Sequence, residues 1–413
     1  MKLQPVRGTK DLLPPEARVF RHIIGQSLHV AELYGFQEMA TPIFEFTPVF
    51  SRGLGESTDI IGKEMYSFVD RGGEPLSLRP EGTAGVVRAF LSNGLEQQLP
   101  LKVFYQGPMF RYERPQKGRQ RQFHQIGVEC LGVDHPQADV ECIAMAHLLL
   151  EQLGLGTKCR LEINTLGDSE SRQSYRQALV EYFTAHQQSL SADSQSRLHS
   201  NPLRILDSKK AEDQAIVAQA PLFQDHLSAE SQSFFTQVQQ QLQALQIPFA
   251  LNPRLVRGLD YYCHTVFEFK TDLLGAQDAV LSGGRYDGLV EMMGGPKTPG
   301  VGWAAGLERL ALLLEQKPTS PRPLVVIPLG AEAELEALKL AQSLRSQGFV
   351  VESTYSGNLQ KRLKRANKLQ ARAALILGSE EIQKSEVTFK DLDLGQQRQV
   401  PLQELTRELG SLT

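Results

Sequence analysis

The sequence has few cysteines and no long apolar segment at its start, and both absences exclude classes of protein. Four cysteines occur among 413 residues, none in a CxxC pair, so neither a disulfide framework nor a zinc site is predicted. We expect reduced structural thiols, as in a cytoplasmic protein. The N-terminal stretch MKLQPVRGTKDLLPPEARVF carries acidic residues and no apolar run, which argues against a signal peptide, a transit peptide and a membrane span.

Strong net charge and the common nucleotide-binding motifs are also absent. The formal net charge is −3, so any nucleic acid must bind to local basic patches. Gly62 and Lys63 are followed by Glu64 where a P-loop needs Ser or Thr, and there is no GxSxG, HExxH or well-placed GxGxxG. Nucleotide binding, if present, therefore uses a different architecture.

The order of strand and helix patterns predicts an α+β protein of two or three domains. Strand-like runs joined by short loops dominate residues 1–320 and predict an antiparallel sheet, interrupted by a polar helical insertion at residues 168–246. The proline-rich stretch PTSPRP, residues 318–323, predicts a linker. Residues 324–413 begin as βαβαβ, which predicts a small α/β domain with a largely parallel sheet.

A basic loop, residues 111–121, lies between two strand-like runs. Its sequence RYERPQKGRQR holds five basic residues and one acid, Glu113, and Pro115 and Gly118 predict the turns of a hairpin. The loop is either a solvated charged segment or an anion clamp, since several arginine forks match phosphate oxygens.

Two further residues and two glycine-rich runs are candidates for a site. Glu81, at a strand end before a helix, either caps that helix or binds an ammonium group. Arg309, in the first turn of a helix, is either solvated or part of a site. The glycine-rich runs 282–295 and 300–315 fit a backbone that closely approaches a ligand.

One helical segment near the C-terminus carries a basic stripe of Lys361, Arg365 and Lys368, continued by Arg372. Leu359, Leu363 and Ala366 form the opposite side. A solvated face is the common meaning of such a run, whereas charge of one sign along a stripe also fits phosphate contacts with RNA.

Together these motifs resemble a class II aminoacyl-tRNA synthetase, and in detail the histidyl-tRNA synthetase family. The resemblance covers nearly the whole chain. It rests on PVRGTKDLLPPE, LRPEGTAG, MFRYERPQKGRQRQFHQIGVE, NPLRILDSK, RGLDYY followed by TVFEF, SGGRYDGL and GLERL. The implied fold is an antiparallel-sheet catalytic domain with a helical insertion, followed by an α/β anticodon-binding domain at residues 324–413.

The resemblance implies ATP, accompanied by Mg²⁺, as a substrate, with no permanently bound metal. It places Arg111 on the α-phosphate, Glu113 on the adenine amino group and Arg119 over the outer phosphates. Phe123 resembles the aromatic residue that stacks on adenine, and Arg309 the γ-phosphate ligand.

The resemblance also implies a histidine site and a catalytic pair, Arg257 and Arg111. The residues implied to hold histidine are Glu81, Thr83, Gln125, Glu129, Arg257, Tyr261, Tyr262 and Tyr286. Cys263 and His264 stand where the family often has Asn and Arg. We place both on the strand after the substrate contacts, so no specific contact is carried over to them.

The implied partners are tRNA(His), histidine, ATP and a second copy of the chain, with residues 35–42 at the dimer interface. The basic stripe is the expected tRNA contact. Two relatives without the activity are the alternatives: a regulatory subunit of ATP phosphoribosyltransferase and an RNA-sensing module. Both lose catalytic motifs, whereas Arg111, Arg257 and Arg309 are present here.

Overall fold

The computed structural model describes residues 3–54, 60–116, 118–256, 261–275 and 278–410. These residues form two compact units, one ending at Pro318 and the other beginning at Thr319. Among the described residues, no helix combines the length and apolar character needed to cross a membrane. All four cysteines are free thiols.

The first unit alternates helices and strands, with short 3₁₀ or π-helical turns between some of them. In chain order it contains α1 (Pro14–Leu33), β1 (Gln37–Glu38), β2 (Phe44–Phe46), α2 (Thr47–Leu54), β3 (Ser67–Val69), β4 (Pro75–Leu78), α3 (Thr83–Ser92), β5 (Leu101–Phe110), β6 (Gln122–Leu131), α4 (Pro136–Gln152), β7 (Arg160–Thr165), α5 (Ser169–Ala185), α6 (Ala192–Arg197), α7 (Ala211–Val217), α8 (Ala229–Ala244), β8 (Phe249–Leu251), β9 (Cys263–Lys270), β10 (Ala279–Arg285), α9 (Leu289–Met292), β11 (Gly300–Gly306) and α10 (Leu307–Leu313).

An eight-stranded sheet organises this unit, in the order β1-β5-β6-β11-β10-β9-β7-β8. The pairs from β5 to β7 are antiparallel, and the outer pairs β1–β5 and β7–β8 are parallel. The predicted antiparallel catalytic fold is confirmed. A small antiparallel sheet, β2-β4-β3, lies apart from the large one.

The two faces of the large sheet have different environments. On β6, Ile126, Val128 and Cys130 join a buried core with apolar residues of α1, α4, α8 and α10. Side chains alternate along a strand, so Gln125 and Glu129 face away from that core. The helices thus cover one face and leave the other for a pocket.

The segment predicted as an insertion, residues 168–246, carries the helices α5 to α8. Its last helix, α8, buries Phe235, Val238 and Leu242 in the same core as the large sheet. Whether residues 168–246 form a domain of their own stays a prediction. Arg254, which follows the segment, donates hydrogen bonds to the carbonyl groups of Ala218 and Ala220 and so connects the segment to the chain that follows it.

The second unit is an α/β domain. It contains β12 (Leu324–Pro328), α11 (Glu332–Ser346), β13 (Val351–Ser353), α12 (Leu359–Lys368), β14 (Ala373–Leu377), α13 (Ser379–Lys384), β15 (Glu386–Asp391), β16 (Gln397–Pro401) and α14 (Leu405–Gly410). The strand order is β13-β12-β14-β15-β16, with the first three strands parallel and the last two antiparallel. The sheet is therefore mixed, because the hairpin β15–β16 pairs antiparallel with β14 at one edge of the predicted parallel part.

Candidate active site

A cavity of about 230 Å³ lies on the open face of the large sheet. It brings together most of the residues singled out from the sequence: Glu81, Thr83, Arg111, Glu113, Arg119, Phe123, Gln125, Glu129, Tyr261, Tyr262, Tyr286 and Arg309. Arg257 lies outside the described residues. The pocket has a deep polar end around Glu129 and an outer end rich in arginine.

The deep end is built around a buried carboxyl group. Glu129, which is 1% exposed, accepts hydrogen bonds from Thr83 Oγ1 at 2.7 Å, from the Tyr105 hydroxyl at 3.3 Å and from the Tyr286 hydroxyl. Burial raises the pKa of Glu129 to about 8, although these three donors favour its charged form. A carboxyl group poised in this way can exchange a proton with a bound base near neutral pH.

Glycines beside Glu129 explain how the side chains fit. Gly302 pairs with Glu129 across the sheet, and a Cβ at Gly302 would lie 2.0 Å from Glu129 Oε2. A Cβ at Gly300 would lie 2.3 Å from the ring of Tyr286. At these two positions the space that glycine leaves is filled by side chains of the pocket. Gly302 and Gly306 also line the cavity, and close approach of the backbone to a ligand stays a prediction.

Glu81 fits both readings that its sequence allows. Its two carboxylate oxygens accept the backbone N–H groups of Thr83 at 2.7 Å and Ala84 at 2.8 Å, at the start of α3. The side chain also lines the pocket and is 5% exposed. Burial raises the pKa of its carboxyl. Glu81 therefore stabilises the helix start while presenting a carboxyl to the cavity.

Three tyrosines line the deep end. The ring centroids of Tyr261 and Tyr262 are 4.6 Å apart, and Tyr286 meets Tyr261 edge-on at 5.6 Å. Burial raises the pKa values of Tyr261 and Tyr286 well above the ordinary value. Both phenols are therefore neutral near pH 7, and each can donate a hydrogen bond.

The outer end collects three guanidinium groups around one carboxylate. Arg119 Nε lies 2.6 Å from Glu113 Oε2, and Arg111 Nη1 lies 3.9 Å from Glu113 Oε1. Arg111 also stacks over Phe123 at 5.3 Å. Burial and the nearby charge of Arg119 lower the pKa of Arg309. The surplus of positive charge and the planar forks suit an anion such as a phosphate chain.

The basic loop is the connection of a β-hairpin, as predicted. It joins the antiparallel strands β5 and β6, and Gln116 and Arg119 exchange two backbone hydrogen bonds near its tip. The base of the loop is also bonded, because the Arg111 N–H donates to the Arg121 carbonyl at 2.9 Å. The hairpin thus brings Arg111 and Arg119 into the pocket.

The basic stripe lies in the second unit, on α12. Lys361, Arg365 and Lys368 are exposed, whereas Ala366 is buried against β12 and β14 with Leu359 and Leu363 beside it. The predicted division of this helix into a basic and an apolar side is confirmed.

Comparison with known proteins decides the family. The model of the histidyl-tRNA synthetase family matches residues 8–310, and that of the anticodon binding domain matches residues 324–412. The chain belongs to the histidyl-tRNA synthetase family. The histidine–tRNA ligase of Rhodospirillum rubrum is 58% identical over 401 residues, which is 97% of each chain, and that of Gluconacetobacter diazotrophicus is 53% identical over 99% of each chain.

A solved structure in the family has the same fold. The crystal structure of apo histidyl-tRNA synthetase from S. aureus matches with a TM-score of 0.83 and 34% identity, covering 98% of this chain and 99% of that one. Members of this family are ATP-dependent ligases, and the pocket described above lies within the residues that match the synthetase model.

Reasoning from the sequence missed two residues that support the histidyl-tRNA synthetase pocket. Tyr105 bonds to Glu129 from the neighbouring strand β5, a contact visible only once the strands are paired. Glu308 accepts the backbone N–H of His124 at 3.0 Å and contacts its imidazole at 2.9 Å. Its position beside Arg309 was the only available signal.

The two departures from the family pattern begin β9, as expected. Cys263 Sγ accepts the backbone N–H of Asp287 at 3.3 Å. His264 has a φ of 44°, unusual for a residue other than glycine, and it exchanges backbone hydrogen bonds with Leu166 and Gly167. Both residues therefore shape the backbone behind the tyrosines.

Proposed function

We propose that this chain activates L-histidine with ATP to histidyl-adenylate and transfers histidine to the 3′ end of tRNA(His). The observation that carries the proposal is one continuous pocket with a buried carboxyl–phenol cluster at one end and three arginines at the other. The cluster suits an imidazole, and the arginines suit a triphosphate.

The deep end would hold histidine. A carboxyl group and a phenol can each form a hydrogen bond with one of the two imidazole nitrogens. Glu129 supplies the carboxyl group, and Tyr262 and Tyr286 supply phenols. A site built from such groups rejects amino acids that lack the matching nitrogens.

The amino-acid backbone would bind between Glu81, Thr83 and Gln125. Glu81 and Thr83 would lie near the α-ammonium group, as the resemblance implies. The side-chain oxygen of Gln125 is buried and has no hydrogen-bond partner among the described residues, which leaves it available to a ligand. Tyr261 closes this side of the pocket.

The outer end would hold ATP together with its Mg²⁺. Phe123 would stack on adenine. Glu113 would accept a hydrogen bond from the adenine amino group and lose part of its contact with Arg119. Arg119 and Arg309 would then bind the outer phosphates. Mg²⁺ enters with the substrate; among the described residues, no cluster of His, Cys, Asp or Glu is arranged to hold a metal ion.

The first step is a displacement at the α-phosphate. The histidine carboxylate attacks the phosphorus, a new carboxylate–phosphorus bond forms, and pyrophosphate leaves. Arg111 and Arg257 would stabilise the charge that builds on the α-phosphate oxygens. Losing one such donor costs about 3–4 kcal/mol, or roughly 10²–10³ in rate. In the second step a ribose hydroxyl oxygen of the terminal adenosine attacks the carbonyl carbon of the adenylate. The bond from that carbon to the oxygen bridging to phosphorus breaks, AMP leaves, and the hydroxyl proton passes to solvent.

Two further contacts complete the proposal. The basic stripe would bind tRNA phosphates. A second copy of the chain would cover residues 35–42 and the nearby small sheet, whose Phe44, Phe46 and Phe68 are exposed in a way that favours an interface. The mass should therefore be that of a dimer in sedimentation, and a monomer at all concentrations would contradict this. Four free thiols fit a reducing compartment such as the cytoplasm.

The test is ATP–pyrophosphate exchange with each of the twenty amino acids in turn. We expect exchange with histidine alone, and its loss in folded Arg257→Ala. No exchange with any amino acid, in folded protein, would refute the proposal and favour the regulatory or RNA-sensing relative.

A further inference from the structure

A turn near the N-terminus packs against the basic loop and has no role in the mechanism above. It lies within PVRGTKDLLPPE, one of the motifs that pointed to the family. The backbone N–H of Thr9 and its hydroxyl both donate to the Val6 carbonyl, at 2.9 Å and 2.8 Å. Residues 6–9 therefore form a closed turn, with Gly8 at a left-handed φ of 85°.

The turn bonds directly to the return arm of the loop. The Gly8 carbonyl accepts the backbone N–H of Arg121 at 2.7 Å and that of Gln122 at 3.4 Å. Gln122 is the first residue of β6. The turn thus holds the loop at the point where it rejoins the sheet.

Arg121 passes this restraint to the rest of the loop. Its guanidinium stacks on the ring of Tyr112 at 3.8 Å, and its Nε donates to the Glu113 carbonyl at 3.3 Å. Its own carbonyl accepts the N–H of Arg111. The residue held by Gly8 therefore contacts the segment that carries Arg111 and Glu113.

We propose that residues 6–9 act as a clamp that holds the basic loop in its ATP-binding conformation, with Gly8 as a positioning residue. This inference rests on the proposed function. Among the groups assigned to histidine that the structure describes, the clamp contacts none, so it acts on the nucleotide end of the pocket.

Only glycine fits at position 8 of this clamp. A Cβ there would lie 2.7 Å from Arg121 Cγ, 2.9 Å from its Cδ and 3.0 Å from Pro115 Cγ. The left-handed φ also disfavours an L side chain. Alanine at this position would push the Arg121 side chain off Tyr112 and away from the Glu113 carbonyl.

The experiment compares Gly8→Ala with Gly154→Ala by pyrophosphate exchange and by thermal unfolding. Gly154 has a φ of 70°, and a Cβ added there would meet nothing within 4 Å, so it reproduces the backbone strain without the contact. Small misplacements of a positioning group can lower catalytic efficiency by up to ~10²-fold. We therefore expect Gly8→Ala to raise KM for ATP about tenfold. KM for histidine should stay within about twofold, and Gly154→Ala should leave both constants unchanged.

A double variant separates the clamp from general destabilisation. Arg121→Ala removes the two carbons that a Cβ at position 8 would meet, so adding Gly8→Ala to it should raise KM for ATP less than in the wild-type background. Additive effects, or an unchanged KM for ATP in Gly8→Ala, would overturn the inference. If Gly8→Ala does not fold, Arg121→Ala alone must raise KM for ATP and not KM for histidine. Wild-type protein without any exchange would instead refute the proposed function.

Discussion

Glu129 keeps its proton to an unusually high pH in the folded protein, and replacing it with glutamine tests why. Burial raises its pKa from 4.5 to about 8, and the charge of Glu81 adds to the rise. In the unfolded chain the carboxyl loses its proton near pH 4.5. The folded state therefore holds one more proton between these two pH values, and the free energy of unfolding falls as the pH rises through this window.

The expected magnitude follows from the size of the change. The pKa moves from 4.5 in the unfolded chain to about 8 in the folded protein. At pH values above the folded pKa, this lowers the free energy of unfolding by roughly 5 kcal/mol, since a tenfold change in proton affinity is worth about 1.4 kcal/mol. Between pH 5 and pH 8 the loss is about 3.5 kcal/mol. Glutamine has nearly the same shape, still accepts hydrogen bonds and does not titrate. The Glu129→Gln variant should therefore lack this part of the pH dependence.

Urea unfolding at pH 5, 6, 7 and 8 measures the effect. Trp303 is the single tryptophan and lines the same pocket, so its fluorescence follows unfolding of the unit that contains Glu129. Titrating groups that do not interact with Glu129 are common to both proteins and cancel in the difference, whereas Glu81, whose charge acts on Glu129, titrates together with it. The stability of Glu129→Gln relative to wild type should rise by about 3.5 kcal/mol from pH 5 to pH 8. A difference that does not change with pH would refute the assignment of a raised pKa to Glu129.

Three other predictions concern different parts of the molecule. Gly302→Ala should abolish histidine-dependent exchange and lower the free energy of unfolding by about 2 kcal/mol, because its Cβ would overlap Glu129. Gly25→Ala is the control, since Gly25 lies in α1 and a Cβ there would meet nothing within 4 Å; it should be neutral or stabilising. Equal effects of the two substitutions would contradict the packing argument. Asp139→Asn should lower the free energy of unfolding by about 3 kcal/mol, because it weakens a fully buried ion pair with Arg285. An unchanged urea midpoint would contradict this, since the other acceptors of Arg285, Asp287 and the Val133 and His135 carbonyls, would then suffice. Neutralising the three residues of the basic stripe should weaken tRNA binding and flatten its dependence on salt, whereas an unchanged salt slope would return the stripe to a solvated face.

Local pattern was sufficient to predict much of the fold. The hairpin that carries the basic loop follows from two strand-like runs around Pro115 and Gly118. The alternation in TVFEF, residues 265–269, predicts that Phe267 and Phe269 share one face of a strand. Both lie in one buried core, and Val266 lies in another. These features depend on neighbours in sequence, which a periodic pattern reports directly.

Features that depend on distant segments could not be predicted in the same way. Tyr105 reaches Glu129 only because β5 pairs with β6 in a particular register, and Gly302 makes room for Glu129 from a third strand. The antiparallel hairpin β15–β16 turned the expected parallel sheet into a mixed one. The roles of the pocket residues came from the family resemblance and stay predictions.

The strand β6 fixes the distance between two residues that line the pocket. Phe123 and Glu129 both lie on this strand, six positions apart, so roughly 20 Å of rigid backbone separates them at about 3.3 Å per residue. Adding one residue would turn the inward side chains outward, and adding two would lengthen the span by roughly 6.6 Å. Either insertion changes the pocket by more than the difference in length between two amino acids of similar size. Under the proposed function, a new amino-acid preference would therefore come from exchanging side chains at the deep end, such as Glu129, Tyr262 and Tyr286, because the strand itself changes length only by whole residues.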